Sequence, residues 1–347
     1  MSVKFYSEIV SPFVQTKVFF HYKKLRELQH KKIVMPVTCE IDLTDGFCNN
    51  KCKHCFFGTD LKSTPVLIDT KEVKKVIKEL YDNGVKAVEF TGGGEPTTHP
   101  NICDILAYAI DLGLDVGLIT NGLLLDKIET LVSKLKFIRI SLDAASDHVY
   151  RKVHGVDCFE TIIDNIRKIE SAVRREKIGI GFLIVPENVC DITDATALAN
   201  ELGVRFIQYR PASLPYETSD SVWLEAEAKV KNAITLNKPE KLQIFDAGVK
   251  WKHLNNCRKY SQCHTNTLVA VIKANGDIPL CVLKRNEEDK IVGNIYNGGF
   301  VGNWFSERHL KLIDNINLNK CRKPCKHDSY NIVCEALISD LYHKNFI

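Results

Sequence analysis

The sequence predicts an α/β fold in which a partial (β/α)6 barrel of the TIM type is followed by a small, cysteine-rich domain. Between residues 38 and 235, apolar runs of strand length alternate six times with segments that have the 3.6-residue period of helices. Gly84 and Gly113 stand where two of these helices should end. Six β–α units predict a parallel sheet with outer helices, but they are too few for a closed eightfold barrel.

The predicted elements can be placed along the chain one by one. The strands are expected at 39–44, 87–92, 115–120, 137–143, 178–185 and 205–211. The helices are expected at 70–83, 100–112, 125–134, 159–175, 191–202 and 219–235. Further on, Asn275-Gly276-Asp277 lies between two apolar runs and is typical of a hairpin turn. These patterns predict a helical extension (1–35), the barrel (36–235), a small domain (240–335) and a tail (336–347).

The composition and charge of the chain indicate in which cellular compartment and with which classes of partner the protein acts. With 347 residues, of which 45% are hydrophobic and 26% charged, the chain can bury a large core. No apolar run reaches the roughly 18–20 residues that span a bilayer, and the N-terminus has no signal-peptide pattern. The net charge of +4 is too small to indicate a nucleic-acid partner by itself. We therefore expect a cytoplasmic protein without a membrane or nucleic-acid partner.

A basic segment lies near the N-terminus. Lysine and arginine dominate the charged residues from Lys17 to Lys32, and apolar residues recur there at helical spacing. This pattern favours an amphipathic helix that covers the body and turns its basic face to solvent. A surface that docks an anionic partner is the alternative.

The thirteen cysteines are many for a chain in a reducing compartment, where clustered thiols usually bind metal or take part in catalysis. One cluster lies at 48–55 and a second at 257–334. The four outside them are expected to be small, buried hydrophobic residues: Cys39, Cys103, Cys158 and Cys190.

The first cluster places Cys48, Cys52 and Cys55 on a loop directly after the first predicted strand. Three thiolates can hold three irons of a [4Fe–4S] cluster and leave the fourth iron open to a ligand. A zinc site is the alternative, but it needs a fourth Cys or His close by. His54 is available, yet it lies inside the motif, where closing the coordination ring is difficult.

This CxxxCxxC loop resembles the signature of the radical S-adenosylmethionine (SAM) superfamily. After the second strand, the segment from Thr91 to Pro96, TGGGEP, is similar to the GGEP motif of that family. The resemblance implies that the three cysteines bind a [4Fe–4S] cluster whose open iron takes the amino and carboxylate groups of SAM. It also implies that Gly93, Gly94 and Glu95 hold the methionyl amino group.

Three further positions resemble cofactor contacts of the family. Asn121 follows the third predicted strand and Ser141 lies in the fourth, where related enzymes contact the ribose and carboxylate of SAM. Arg151 could pair with that carboxylate, because a guanidinium suits bidentate recognition. Each of the three is also compatible with an ordinary polar residue at the edge of the barrel.

The second cluster has a regular spacing of its own. Twelve residues separate Cys263 from Gly276, and four more precede Cys281. Cys321 and Cys325 follow later, with three residues between them. Four thiolates suffice for a second [4Fe–4S] cluster with no open iron.

The spacing of this second cluster resembles the CX9–15GX4C hallmark of the SPASM and Twitch extensions of radical SAM enzymes. The resemblance implies a Twitch-like domain with one auxiliary [4Fe–4S] cluster. Cys257 could replace Cys321 among the ligands, and Cys334 is a weaker competitor. A structural zinc site is the remaining alternative.

The resemblance implies that the enzyme cleaves SAM reductively and that the 5′-deoxyadenosyl radical abstracts hydrogen from a substrate carbon. We expect oxidation or epimerisation of a small, sugar-like molecule, with flavodoxin or ferredoxin as electron donor. Cys190, just after the fifth strand, is a candidate hydrogen donor for an epimerisation.

Two alternative functions stay open. The substrate could be a ribosomally made peptide or protein, although the 35 residues before the barrel are too few for the leader-recognition domain of many peptide-modifying members. A non-catalytic, zinc-stabilised binding protein is the alternative from a different class. The barrel edge lacks the basic stripe with interleaved aromatic residues that nucleic-acid binding would need.

Overall fold

An eight-stranded parallel sheet forms the centre of the protein. The computed structural model describes residues 15–55, 65–212, 220–238, 241–246, 258–321 and 325–339. The strands are β1 (Thr38–Asp42), β2 (Thr44–Asp45), β3 (Val66–Leu67), β4 (Ala87–Thr91), β5 (Asp115–Thr120), β6 (Phe137–Ser141), β7 (Ile178–Ile184), β8 (Phe206–Pro211), β9 (Gln243–Asp246), β10 (Val269–Ile272), β11 (Asp277–Pro279) and β12 (Ile291–Asn294). The order across the main sheet is β10-β1-β4-β5-β6-β7-β8-β9, with all neighbours parallel. The predicted partial barrel is confirmed.

Helices connect the strands and cover the outer side of the sheet. The α-helices are α1 (Tyr22–Leu28), α2 (Thr70–Asp82), α3 (Ile102–Asp111), α4 (Asp147–His154), α5 (Phe159–Lys168), α6 (Ser171–Lys177), α7 (Ile192–Leu202), α8 (Asp220–Leu236), α9 (Gly299–Trp304), α10 (Glu307–Asp314) and α11 (Asp328–Ile338). Leu125–Lys134, predicted as an α-helix, is a 3-10 segment. The helix predicted at 159–175 is divided into α5 and α6.

The two faces of the main sheet differ in polarity, because successive side chains of a strand point to opposite faces. The outer face carries apolar residues that are buried under the helices, among them Ile41, Phe90, Ile140 and Ile180. The inner face, which is the inside of the partial barrel, carries a series of polar residues: Glu40, Asp42, Glu89, Arg139, Ser141, Gln208 and Arg210. The inside of the barrel is therefore polar and charged.

The C-terminal part of the chain completes the sheet at both edges. β9 pairs with β8, and β10 pairs with β1, so the boundary predicted near residue 240 does not separate two independent sheets. The predicted turn at Asn275-Gly276-Asp277 is present, since the Gly276 N–H donates to the Lys273 carbonyl oxygen at 2.8 Å. The strand after the turn, β11, pairs with β12 rather than with β10.

The N-terminal helix covers the body, as expected, by packing against α11. Val18 and Leu25 from the N-terminal segment join a small apolar cluster with Val34, Leu268 and Cys334. Helix α11 continues past the domain boundary predicted at residue 335. Residues 1–14 of the predicted extension and 340–347 of the predicted tail lie outside the described ranges. Within those ranges, no helix combines the length and apolar character that crossing a bilayer requires.

A buried ion pair joins β1 to the segment after β11. The Arg285 guanidinium donates to Asp42 Oδ2, and the two side chains are 1% and 2% exposed. Burial raises the pKa of Asp42 to about 7, while the positive charge of Arg285 opposes the rise. The pair ties the C-terminal segment to the carboxyl end of β1.

We expect Arg285→Met to lower the free energy of unfolding by about 3–5 kcal/mol, because it leaves a buried carboxylate without its charged partner. The loss should shrink as the pH falls, since a protonated Asp42 needs no counter-charge. Urea unfolding curves at several pH values measure both effects. Adding Asp42→Leu should recover most of the lost stability, and a double variant as unstable as the single one would contradict this account.

Candidate iron–sulfur and cofactor site

The first cysteine cluster lies on a loop at the carboxyl edge of the sheet, directly after β1 and β2. Removal from water raises the pKa of the Cys48 thiol to about 11, and Cys55 contributes to the rise. Burial also raises the pKa of the Cys52 thiol, with contributions from Asp143, Cys48 and Cys55. Cys55 therefore lies near enough to affect the pKa of both other thiols, which is compatible with three ligands of one iron–sulfur cluster.

The glycine-rich segment after β4 packs directly against this loop. The Gly46 N–H donates to the Gly93 carbonyl oxygen at 2.9 Å, and the Glu95 N–H donates to the Phe47 carbonyl oxygen at 2.7 Å. A Cβ atom at Gly94 would lie 2.2 Å from that Phe47 oxygen, so only glycine allows the two backbones to approach this closely. Gly93 and Gly94, predicted to hold the cofactor, thus also fix the start of the cysteine loop.

The Glu95 carboxylate is buried and held by four donors. Its Oε1 accepts from the Thr97 N–H at 3.0 Å, the Thr97 hydroxyl at 2.6 Å and the Thr120 hydroxyl at 2.7 Å. Its Oε2 accepts from the Asn121 N–H at 2.7 Å. Burial raises the pKa of Glu95, and these hydrogen bonds oppose the rise. Oε2 retains acceptor capacity for a cationic group such as an amino acid's ammonium.

Asn121 and Gly155 hold the middle of the cysteine loop. The Asn121 side-chain amide donates to Asn49 Oδ1 at 2.5 Å, so the residue predicted to contact SAM also contacts the loop. On the other side, the Lys51 N–H donates to the His154 carbonyl oxygen at 2.9 Å. Gly155, with φ of +70°, allows this approach, because a Cβ there would lie 2.8 Å from the Lys51 carbonyl oxygen.

A polar cluster that the sequence analysis did not identify lies beside Cys52. His154 Nδ1 is 3.0 Å from Cys52 Sγ, and its Nε2 is 3.1 Å from the Leu142 carbonyl oxygen and 3.3 Å from Asp143 Oδ2. His54 Nε2 lies 3.7 Å from the same carboxylate oxygen. Burial acts to raise the pKa of Asp143, but hydrogen bonds from His154 and His54 outweigh it and hold that pKa well below its ordinary value. His54, considered above as a zinc ligand, is thus directed towards Asp143.

Two other predicted cofactor contacts lie outside this hydrogen-bonded loop. Ser141 is the last residue of β6 and faces the inside of the barrel. Arg151 lies on α4 with 55% of its side chain exposed. Its guanidinium pairs with Asp147 at 2.7 Å and with Asp157 at 2.9 Å, so it is engaged with surface carboxylates.

The isolated cysteines differ in their exposure. Cys39 is buried as predicted, and Cys158 is partly buried. Cys103, in the first turn of α3, and Cys190, in the 3-10 segment after β7, are exposed, so the expectation of burial is wrong for both. Cys190, the candidate hydrogen donor, follows β7, and its Sγ lies 3.7 Å from Asp191 Oδ1.

The four predicted auxiliary ligands lie near enough to one another in the C-terminal part to affect the pKa values of the group. Cys263 precedes β10, Cys281 follows β11, and Cys321 and Cys325 precede α11. Burial raises the pKa of Cys281 to about 11, with contributions from Cys263 and Cys321. Burial raises the pKa of Cys325 to about 12, and Cys263 and Cys281 are among the smaller causes. This set of neighbouring thiols fits the donors that one [4Fe–4S] cluster needs.

Of the two alternative auxiliary ligands, the structure describes one, Cys334. Cys334 is fully buried in the apolar cluster beneath α11, and burial raises its pKa to about 12, with a contribution from Cys263. Cys257 lies outside the described residues. Within the described part of the chain, no three Cys, His, Asp or Glu side chains converge as a single metal ion would require.

The chain is similar to known proteins over most of its length. The sequence model of the Radical SAM superfamily matches residues 44–199. The antilisterial bacteriocin subtilosin biosynthesis protein AlbA of Bacillus subtilis is 25% identical over 325 residues. The matched residues cover 81% of this chain and 66% of AlbA, so the chain spans just under two thirds of the length of AlbA. The mycofactocin maturase MftC of Mycobacterium tuberculosis is 24% identical over 295 residues, which cover 81% of this chain and 73% of MftC.

A solved structure shows the same fold. Streptococcus suis SuiB, bound to the precursor peptide SuiA, superposes with a TM-score of 0.68 at 18% identity, over 87% of this chain and 72% of SuiB. The superfamily match begins at the cysteine loop and extends through β7, and the relatives continue into the C-terminal part. The match therefore places a radical SAM domain at residues 44–199, and the relatives that continue past it make the chain similar to radical SAM enzymes with a SPASM/Twitch-type C-terminal domain, whose cofactors are SAM, a SAM-binding [4Fe–4S] cluster and an auxiliary [4Fe–4S] cluster.

Proposed function

We propose that this enzyme cleaves SAM reductively at the cysteine loop and uses the resulting radical to modify a ribosomally made peptide. The observation that carries the proposal is the loop with Cys48, Cys52 and Cys55, clamped at the carboxyl edge of the sheet beside the buried Glu95 carboxylate. When bound there, a reduced [4Fe–4S] cluster supplies the electron that breaks SAM into methionine and a 5′-deoxyadenosyl radical.

The chain's own residues would bind and orient SAM. The three thiolates would each hold one iron and leave the fourth iron open. Glu95 Oε2 would accept a hydrogen bond from the methionyl ammonium, because a buried carboxylate with spare acceptor capacity favours a cation. Ser141 and Asn121 would contact the ribose and carboxylate from neighbouring strand ends. Arg151 could take part only by exchanging its present carboxylate partners.

A peptide substrate is favoured over the small, sugar-like molecule expected from the sequence. AlbA takes part in the biosynthesis of a bacteriocin, MftC is a maturase, and SuiB has been solved with a precursor peptide. The polar inner face of the barrel, with partly exposed residues on β6 and β8, can accept a hydrogen-bonding chain as well as a sugar. The likeness to peptide-handling proteins therefore supports a peptide substrate over a sugar-like one.

An oxidation is the reaction outcome that the C-terminal thiols favour. Removal of a hydrogen atom leaves an unpaired electron on a peptide carbon, and loss of a further electron and a proton completes a two-electron oxidation. The thiolates of Cys263, Cys281, Cys321 and Cys325 would hold a group that can accept one electron. An epimerisation would instead need a hydrogen donor, for which Cys190 is the candidate. A flavodoxin or ferredoxin would supply the first electron.

The test is anaerobic turnover with dithionite, SAM and a pool of synthetic peptides in which one residue type at a time is deuterated. Reconstituted enzyme should form 5′-deoxyadenosine slowly without substrate, and one peptide pool should increase this rate and transfer deuterium into the product. Mass spectrometry measures the transfer. If no peptide pool donates deuterium while a deuterated sugar pool does, the peptide assignment is wrong.

The choice of auxiliary ligands can be tested separately. We expect Cys321→Ala to cost auxiliary iron or change the paramagnetic spectrum of that cluster, because a lost thiolate must be replaced by water or another residue. Cys257→Ala should change neither, and it is the matched control. Iron analysis and electron paramagnetic resonance of anaerobic protein measure both. The opposite pattern would transfer the fourth position to Cys257, and a response to Cys334→Ala alone would transfer it to Cys334.

A further inference from the structure

Arg210 brings a positive charge to the inside of the barrel, where the described residues offer it no carboxylate partner. It lies near the carboxyl end of β8, opposite Leu183 of β7, and is partly buried. Its Nε is buried without a hydrogen-bond partner, and no ion pair joins its guanidinium to another residue of the described ranges. Burial lowers its pKa to about 9, and the positive charge of Arg139 adds to the fall. A polar group withdrawn from water without a partner costs free energy.

Other charged groups on the inner face already have partners. The Lys326 ammonium pairs with the Glu40 carboxylate, which is 7% exposed. Asp42 pairs with Arg285, as described above. Arg139 Nη1 donates to the Gln208 side-chain oxygen at 3.1 Å. These contacts leave Arg210 as a place on the inner face where an anion from outside the chain could be bound.

A glycine of β7 lies diagonally across from this arginine on the inner face. Gly181 of β7 lies on the inner face between Ser141 of β6 and Gln208 of β8, so β7 presents no side chain at that position. The Cδ and Cγ atoms of Arg139 lie 3.4 Å from the place that a Cβ at Gly181 would take, so the aliphatic part of Arg139 packs over this glycine. A ligand would therefore reach the guanidinium from the partly exposed side of Arg210 and not across Gly181.

Arg210 also lies in a different part of the barrel from the cofactor residues. The cysteine loop, Glu95 and Asn121 follow β1, β4 and β5, which are neighbours in the sheet. β8 is three strands away from β5 in the same sheet. A ligand at Arg210 would face the cysteine loop from the opposite half of the barrel, which is the place for a substrate.

We propose that Arg210 binds a carboxylate of the peptide substrate, either an acidic side chain or a free C-terminus, inside the barrel opposite the cysteine loop. The proposal rests on the proposed function, of which it specifies the substrate. A guanidinium binds a carboxylate through two parallel hydrogen bonds. The negative charges of Asp143 and Glu89 also act on Arg210. They reduce the positive field, so a singly charged carboxylate fits this place better than a doubly charged phosphate.

The experiment uses the reconstituted holoenzyme saturated with SAM. An arginine-selective dicarbonyl reagent labels accessible guanidinium groups, and peptide mass spectrometry follows Arg210. Exposed Arg205, whose Nη1 donates to the Glu176 carbonyl oxygen at 3.0 Å, is the internal control in every sample. The probes are N-acetylglutamate α-amide, its neutral glutamine counterpart, N-acetylglycine and inorganic phosphate.

We expect a carboxylate probe to slow the labelling of Arg210 several-fold while Arg205 is unaffected. Stronger protection by the glutamate derivative assigns an acidic side chain, and stronger protection by N-acetylglycine assigns a C-terminus. Equal protection by the neutral glutamine derivative would overturn the proposal, as would stronger protection by phosphate. Protection that SAM alone provides would assign Arg210 to the cofactor carboxylate and would also overturn it.

Thermal unfolding supplies a second readout. The carboxylate probe should raise the Tm of the wild-type holoenzyme and of Arg205→Met, but not that of Arg210→Met. Arg210→Lys, which keeps the charge but not the planar fork, should retain only part of the rise. A Tm of Arg210→Met far below wild type, without any probe, would show that the guanidinium is structural and would overturn the proposal.

The proposed function and the carboxylate site at Arg210 can be refuted independently of each other. Wild-type protein that forms no 5′-deoxyadenosine but shows carboxylate-specific protection of Arg210 would refute the proposed function and leave the carboxylate site standing. Active enzyme without that protection would refute the site alone.

Discussion

Replacing Cys48, Cys52 and Cys55 together by alanine is expected to lower the iron content from about eight to about four per chain and to abolish 5′-deoxyadenosine formation. The three thiols belong to one loop, and Cys55 contributes to the raised pKa of both Cys48 and Cys52, so we expect the three to act as one donor set. The four C-terminal thiols lie on other segments and should keep their cluster. Iron and sulfide analysis of anaerobic protein, with chromatography of the SAM products, measures both effects.

The matched control is Cys103→Ala. Cys103 is exposed on α3 and outside both cysteine groups, so its removal should leave iron content and SAM cleavage unchanged. If the triple variant retained about eight irons, the loop would not be a cluster site. Tight, stoichiometric zinc in the anaerobic wild-type protein would count against the assignment in the same way.

The strands of the barrel could be predicted because each is a short apolar run with helices before and after it. β4 to β8 lie within two residues of the predicted positions. The edge strands were not predictable in the same way. β9 has the sequence QIFD, which is too short and polar to stand out. For β10, the nearby turn indicated a hairpin, but the sequence does not reveal that β1 offers a free edge to pair with.

The residues of the site could be predicted by spacing, but their neighbours could not. Three cysteines and a glycine-rich segment were visible as motifs, and the structure places both at one edge of the sheet. The role of His154 was hidden, because it lies 102 residues from Cys52 in the sequence. His154 and Gly155 mark only the end of a helix in the sequence, and the fold decides that this end meets the cysteine loop.

The same limit applies to the glycines after β4. The resemblance assigns Gly93 and Gly94 a role in binding SAM. The close approach of Gly94 to the Phe47 carbonyl oxygen is a packing contact between two segments that are distant in the sequence, so it could not be predicted from the motif. A substitution at Gly94 therefore tests the structure of the loop as well as the cofactor site.

Gly94→Ala is expected to lower the iron content by about four per chain and to reduce SAM cleavage to background. The new Cβ would lie 2.2 Å from the Phe47 carbonyl oxygen and 2.5 Å from Thr44 Oγ1. The backbone oxygen cannot rotate away as a flexible side chain can, so the segment before Cys48 must move. That movement would break the hydrogen bond from the Glu95 N–H to the Phe47 carbonyl oxygen. Iron analysis and 5′-deoxyadenosine assays of anaerobic protein measure the loss.

Gly302→Ala is the matched control for this prediction. Gly302 lies in α9, and a Cβ there would meet no atom within 4 Å, so the variant should keep its iron and its activity. The auxiliary cluster should survive in Gly94→Ala, because its thiols lie on other segments of the chain, and its paramagnetic signal should therefore persist. If Gly94→Ala kept all of its iron and lost only affinity for SAM, the glycine would act on the cofactor directly. The contact between the glycine-rich segment and the cysteine loop would then not be what positions the cysteines.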